Sequence, residues 1–258
     1  MISIDLVGKI ALVTGASRRI GIGTAIARTL AQAGADVFIT YYTPYDHEMP
    51  WGVQATEPQE TVAELRAFGV RAEAAEADLS DPAVPARLFD QVEAALGPVD
   101  ILINNATYSV NATIEELTAD LLDRHYAINV RGAALMSHEF ALRHNGRPGG
   151  RIINMVSGEL AGPMPGEIPY ITTKGAVDAL TITLSAELAS KGITVNAVNP
   201  GATDTGWMPP DLYEQIRRQT PLGRVGQPQD AANLILFLAS DRGAWITGEI
   251  INSRGGLR

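Results

Sequence analysis

The sequence predicts an α/β fold: a doubly wound, mostly parallel sheet of seven strands with helices on both faces. Two observations carry this prediction. Short apolar runs alternate with longer helical patterns along the 258 residues, which is the rhythm of βαβ units. Most of those runs are continuously apolar rather than alternating, as expected of parallel strands covered on both sides. With no internal repeat and no linker, 1–258 is expected to form one domain.

The elements follow in order. KIALVT (9–14), DVFITYY (36–42), VDILINN (99–105), GRIINMVS (150–157) and ITVNAVN (193–199) read as strands. RAEAAEAD (71–78) is a weaker strand, and GEIIN (248–252) closes the set. Helical patterns occupy 21–33, 58–68, 82–96, 114–144, 168–190 and 228–240. TPYDHEMPWGVQATEP (43–58) breaks the rhythm, with three prolines, a tryptophan and no periodicity. It reads as an inserted loop, on the surface or as a flap near the end of the second strand.

Composition narrows the function. Hydrophobic residues make up 46% and charged residues 19%, a globular balance. A net charge of -9 argues against the basic stripe that a nucleic-acid surface requires. With no cysteine there is no disulfide, thiol nucleophile or thiolate metal site. In HEFALRH, His138 and His144 stand six apart on different helix faces, so no metal site is expected. The longest apolar run, ANLILFLA (232–239), is far short of the ~20 residues that span a bilayer. No signal-peptide pattern opens the sequence. The expectation is a cytoplasmic, soluble protein acting on a small molecule, with no membrane or nucleic-acid partner.

TGASRRIGIGTAIA (14–27) follows the first strand and opens the first helix. Backbone N–H groups and the positive end of a helix dipole meet there, which makes an anion site. Gly15, Gly21 and Gly23 match neither G-x-G-x-x-G nor the Walker pattern, and the missing Walker lysine argues against nucleotide hydrolysis. Candidate cofactor contacts here are Gly15, Ser17, Arg18, Arg19, Gly21 and Ile22. An NAD-type site places an acid at the C-terminal end of the second strand. Asp36 stands at the wrong end, and Tyr41, Tyr42 and Thr43 occupy the right one. Arg18 and Arg19 suit a 2′-phosphate, so NADP(H) is favoured over NAD(H), although Asp46 has the reach to come back from the insertion. Tyr170 and Lys174, at i and i+4, share one helix face just after Ser157. Bringing a phenol from about 10 toward neutrality takes ~4 kcal/mol of preferential phenolate stabilisation, which a nearby ammonium helps supply.

Here the sequence resembles the short-chain dehydrogenase/reductase family over its whole length. LVGKIALVTGAS looks like the family's opening, NNA (104–106) like its NNAG motif, and INVRG carries Asn129 where the family has its catalytic asparagine. Ser157 precedes Tyr170 by 13 residues and Lys174 completes Y-x-x-x-K; NPGATDT (199–205), RVGQPQDAA and ITGEIINSRGG resemble later motifs. The resemblance implies a Rossmann fold and a catalytic set of Asn129, Ser157, Tyr170 and Lys174. Tyr170 would act as general acid, Ser157 would orient the carbonyl, and Lys174 would hold the nicotinamide ribose and tune Tyr170. Asn129 would hold a relay water. The resemblance adds cofactor contacts at Tyr41, Asp78, Leu79, Asn105, Ala106, Tyr170, Lys174, Pro200, Gly201, Thr203 and Thr205.

Departures accompany the match. NNAG becomes NNAT, with Thr107 placing a Cβ near the cofactor; the closing D-G-G becomes Arg254-Gly255-Gly256; and the loop has five residues between its first glycines instead of three, with Arg19 and Ile20 as the expected extra pair. Enoyl-thioester reductases in the family have a longer loop of similar length, and are the alternative reading. Their tyrosine is separated from the lysine by six residues, and position 167 here is Glu. A non-catalytic nucleotide-sensing protein is the alternative of another class.

The nearest general resemblance is to 3-oxoacyl-[acyl-carrier-protein] reductases. The acidic net charge offers no obvious docking patch for an acidic carrier. By resemblance 203–224 forms a substrate lid, and Met164, Trp207 and Met208 line the pocket with Ser157 and Tyr170. Between Ile171 and Ala186 the only charges are Lys174 and Asp178, so this helix is expected to be covered on more than one side. A homotetramer or homodimer, through this helix and the one near 131–144, is the expected assembly.

Overall fold

Every strand-forming run becomes a strand in the computed structural model, which describes residues 4–158 and 162–257. The strands are β1 (Ile10–Val13), β2 (Asp36–Tyr41), β3 (Ala72–Glu76), β4 (Ile101–Asn104), β5 (Gly150–Met155), β6 (Ile193–Asn199) and β7 (Ile250–Asn252). All pairings are parallel, in the order β3-β2-β1-β4-β5-β6-β7. Strand order reverses at β1, so a crevice opens past the carboxyl ends of β1 and β4, where such sheets bind ligands.

Helices cover both faces, and the alternation of side chains along each strand divides the core in two. Ala11, Val13, Ile103 and Ile153 face α1 (Ile22–Gln32) and α9 (Pro228–Ala239), which contribute Ile26, Leu30, Ile235 and Leu238. Leu12, Leu102 and Ile152 face the other way, against Phe89 and Val92 of α4 (Val84–Ala95) and Met136 and Phe140 of α6 (Ala133–Arg143). Each fully buried side chain of this size stabilises the fold by about 1.5–3 kcal/mol. This is why the inner strands read as nearly unbroken apolar runs. The long α7 (Ile168–Leu188) buries both of its central charges, Lys174 and Asp178, at 4% and 5% exposure.

Three segments differ from the sequence expectation. Segment 43–58 is half helical rather than all loop: α2 (Thr43–Glu48) forms at once after β2, residues 49–56 stay irregular, and α3 (Glu57–Ala67) begins within the segment. Both helices carry proline in the first turn, where its missing N–H costs nothing. At six residues α2 is too short to show a period. Within 203–224, α8 (Pro210–Gln219) forms in the same way behind Pro209. The pattern at 114–144 resolves into α5 (Ala119–His125), a π-helical stretch at Tyr126–Gly132, and α6.

Candidate active site

The glycine loop is built around a tight turn. Gly15 takes φ +72°, and a Cβ there would stand 2.6 Å from Ala106 Cα. Only glycine lets the loop lie this close to the end of β4. Asn105 locks the contact, its Nδ2 donating to the carbonyls of Thr14 and Gly15 at 2.8 and 2.9 Å. The amides of Asn105 and Ala106 donate to Thr14 Oγ1. The Gly21 amide closes on the Arg18 carbonyl at 3.0 Å, so Arg19 and Ile20 occupy the corner of a turn. The first turn of α1 has no side-chain cap and no acid, which leaves its N–H groups for an anion. A Cβ at Gly21 would meet only the Arg18 carbonyl, so the ground before it is open.

The second strand delivers an unexpected neighbour. Asp36 is engaged at the far end by Arg71, at 2.7 Å. Asp46 of α2 instead returns to the loop, buried at 7% exposure. Its Oδ1 accepts from Trp51 Nε1 at 3.1 Å and lies 3.5 Å from Arg18 Nε. The Arg18 guanidinium also covers the Trp51 ring, 5.1 Å from its centre. Burial pulls the Arg18 pKa down and pushes that of Asp46 up, in each case against the partner's opposing charge. Arg19 is exposed and held on α3 by Glu60 and Glu64 at 3.1 and 3.4 Å. Ser17 Oγ accepts from the Tyr42 amide, and the Tyr41 hydroxyl meets Gln59 Nε2 at 3.5 Å.

α2 also reaches across the crevice. The Tyr45 hydroxyl donates to the Ser109 carbonyl at 3.2 Å and accepts from the Ser109 amide at 3.3 Å. Burial pushes its pKa up to about 12, so it stays protonated for both bonds. Beside it lies a cavity of about 300 Å³ bounded by Tyr45, Asp78, Tyr108 and Ile128. Leu79 is buried next to Asp78.

Asn129 sits in the π-helical stretch with its side chain fully engaged. Oδ1 accepts from the Tyr108 amide at 2.7 Å and from Thr107 Oγ1 at 3.1 Å. Nδ2 donates to the Tyr108 carbonyl at 2.9 Å and to Thr173 Oγ1 at 3.0 Å. The Cβ of Thr107 is thus accommodated, and its hydroxyl joins the network. Thr173 donates in turn to the Tyr170 carbonyl at 2.7 Å. Lys174 Nζ donates to the Met155 carbonyl at the end of β5, two residues before Ser157, and lies 5.6 Å from the centre of the Tyr170 ring. Asn129, Tyr170 and Lys174 are therefore tied together, with Ser157 at the adjoining strand end.

Of the residues expected to line the pocket, Met164 packs near Gly158: a Cβ there would be 3.7 Å from its sulfur. Trp207 donates from Nε1 to the Thr203 carbonyl at 3.0 Å and remains 44% exposed, while Met208 is half-buried. A Cβ at Gly206 would lie 3.8 Å from Ile20 Cδ1, so the 203–209 segment rests on the glycine loop. The Thr203 backbone bridges to Gly226, and the Pro200-Gly201 turn lies under Arg254. Thr205 is half-buried. The sequence reading overlooked Thr173, Tyr108, Tyr45 and Trp51, whose roles rest on contacts between residues distant in sequence.

Comparison with known proteins agrees with this architecture. The family model described as Enoyl-(Acyl carrier protein) reductase matches residues 15–258. The chain is 46% identical over 251 residues to the oxidoreductase YjdA of Bacillus subtilis, covering 96% of each protein. It is 35% identical to the NADPH-dependent aldehyde reductase-like protein, chloroplastic, of Arabidopsis thaliana, covering 98% of this chain and 95% of that one. A short chain dehydrogenase from Burkholderia cenocepacia J2315, solved in complex with NADP, superposes with a TM-score of 0.88 at 37% identity, with 98% of both chains covered. Sheet order, sequence and superposition agree: the chain belongs to the short-chain dehydrogenase/reductase family of oxidoreductases.

Proposed function

We propose that the protein is an NADP(H)-dependent reductase of ketones or aldehydes that runs in reverse as an alcohol dehydrogenase. The observation that carries this reading is Lys174, buried and held by the Met155 carbonyl with its ammonium 5.6 Å from the Tyr170 ring. The dinucleotide fits the open ground before Gly21 and the uncapped start of α1. When bound, the reduced nicotinamide supplies the hydride that the carbonyl carbon accepts. Tyr170 gives its phenolic proton to the carbonyl oxygen. Ser157 donates a hydrogen bond to the same oxygen and orients it. Lys174 holds the nicotinamide ribose and stabilises the phenolate left behind. The Asn129 side chain has no capacity to spare, so its backbone carbonyl, in the π-helical stretch, takes the water that returns a proton through Lys174.

Glu167 stands where an enoyl reductase would have its tyrosine, which favours carbonyl chemistry over the enoyl reduction in the family model's description. Arg18 is the group we assign to the 2′-phosphate, in keeping with the NADP in the Burkholderia neighbour. We further read 1–258 as one domain with 203–224 as its lid, and 3-oxoacyl thioesters as one candidate substrate class. No described helix is long and apolar enough to cross a membrane, in keeping with a cytoplasmic assignment. Exposed Leu142 on α6 and Ile182 on α7 support self-association through these two helices.

The test is Tyr170→Phe. Turnover over a carbonyl panel should fall at least about 100-fold, with NADPH binding by fluorescence retained. Near-normal turnover overturns the reading. Parallel assays with 3-oxoacyl and 2-enoyl thioesters separate the two chemistries. Cofactor binding without any turnover supports the nucleotide-sensing alternative.

A further inference from the structure

One carboxylate near Tyr170 lacks the partner that the other buried acids have. Asp46 is engaged by Arg18 and Trp51, and Asp100 by Arg147 and the Ile10 amide. Glu167 is half-buried, and its carboxylate makes no hydrogen bond or ion pair with the described residues. Burial is the one influence on it, and pushes its pKa up. It does not cap α7, since no side-chain bond is made at that helix start.

Its backbone is fixed. The Glu167 amide donates to the Met164 carbonyl at 3.2 Å, and the Ile171 amide donates back to the Glu167 carbonyl at 2.9 Å. Gly166 accepts from the Ala112 amide at 2.8 Å, and Glu167 forms a parallel bridge with Ala112. Glu167 is thus clamped between the segment after β5 and the segment after β4, one helical turn ahead of Tyr170.

We propose that Glu167, three residues ahead of Tyr170, determines substrate specificity by receiving a protonated amine carried by the carbonyl substrate. A half-buried carboxylate without a partner is costly, and an ammonium supplies both the charge and the donor that it lacks. The chain's net charge of -9 favours the approach of a cation over an anion. The inference rests on the assignment of Tyr170 as the proton donor.

The test compares two ketones of matched shape, N-methyl-4-piperidone and 4-methylcyclohexanone, with NADPH. Wild type should prefer the amine, and in Glu167→Gln the ratio of kcat/KM for amine over neutral ketone should fall at least about ten-fold, mostly through KM. Glu167→Asp should recover part of the ratio, and thermal melting checks that each variant folds. A ratio that does not change, or equal losses on both ketones, overturns the proposal. Calorimetry of the corresponding alcohols with the enzyme–NADP+ complex separates the two readings. Amine-selective binding that Glu167→Gln removes, without turnover of either ketone, would support Glu167 and count against carbonyl reduction. Turnover of the neutral ketone without amine selectivity would do the reverse.

Discussion

Arg18 and Asp46 form an ion pair at the mouth of the glycine loop, Nε to Oδ1 at 3.5 Å, with side-chain exposures of 14% and 10%. Neither is comfortable, because burial moves both pKa values toward the neutral forms. An incoming 2′-phosphate would compete with the carboxylate for the same guanidinium.

Cofactor preference is the first consequence. Arg18→Ala should raise KM for NADPH about ten-fold, with a smaller effect on NADH. Asp46→Asn keeps an acceptor for Trp51 but removes the competing charge, so KM for NADPH should fall. Steady-state kinetics with both cofactors checks each direction. Arg19→Ala should matter less, since Glu60 and Glu64 already hold that side chain on the surface.

Gly15→Ala should destabilise the fold by about 2–4 kcal/mol, through a positive φ and overpacking against Ala106. Gly52→Ala is the control: its φ is also positive, at +61°, but nothing lies within 4 Å. It should cost only about 1 kcal/mol. Chemical denaturation of the two variants measures the difference.

Asn129→Ala removes four hydrogen bonds that join the 107–108 segment to α7. Stability should drop by about 3 kcal/mol. The fall in kcat should exceed what the unfolded fraction explains, because the Tyr170 turn loses its tie to Asn129 through Thr173. Melting curves and kcat below the melting range separate the two effects.

Stability should also depend on mildly acidic pH. Burial lowers the pKa of His125 and of His144 in the folded chain. His125 accepts from the Val110 amide through Nε2, so Nδ1 carries the proton shared with the Leu121 carbonyl, and the ring is neutral. The unfolded chain takes up protons first, so the contribution is complete above about 6.5 and declines as pH falls below that value. Tm measured from pH 8 to pH 5 should be flat at first and then fall.

The five inner strands were legible because burial on both faces leaves a one-dimensional mark, an apolar run, whereas the edge strands β3 and β7 are only partly buried and read more weakly. Tyr170 and Lys174 were legible as neighbours on one helix face, whereas Ser157 lies two residues beyond the end of β5 that the apolar run suggested it would close. The Arg18–Asp46 pair was only half legible: Asp46 has no periodicity to place it, since α2 is a single short helix beginning at a proline. Thr107 was legible as a departure, but its bond to Asn129 was not, because nothing local links residues 22 apart. Glu167 was legible only as an absent tyrosine; its lack of a partner is a property of three-dimensional burial.

The π-helical stretch at Tyr126–Gly132 joins α5 to α6. A π-turn holds one residue more than an α-turn. Deleting one residue there would close the wide turn into a regular one and leave the phase of α5 and α6 nearly unchanged. The residues inside the stretch would be redistributed around the turn, and Asn129 would lose its place between Tyr108 and Thr173. The length of this stretch, counted in single residues, is thus as much a specification as the identity of Asn129 within it.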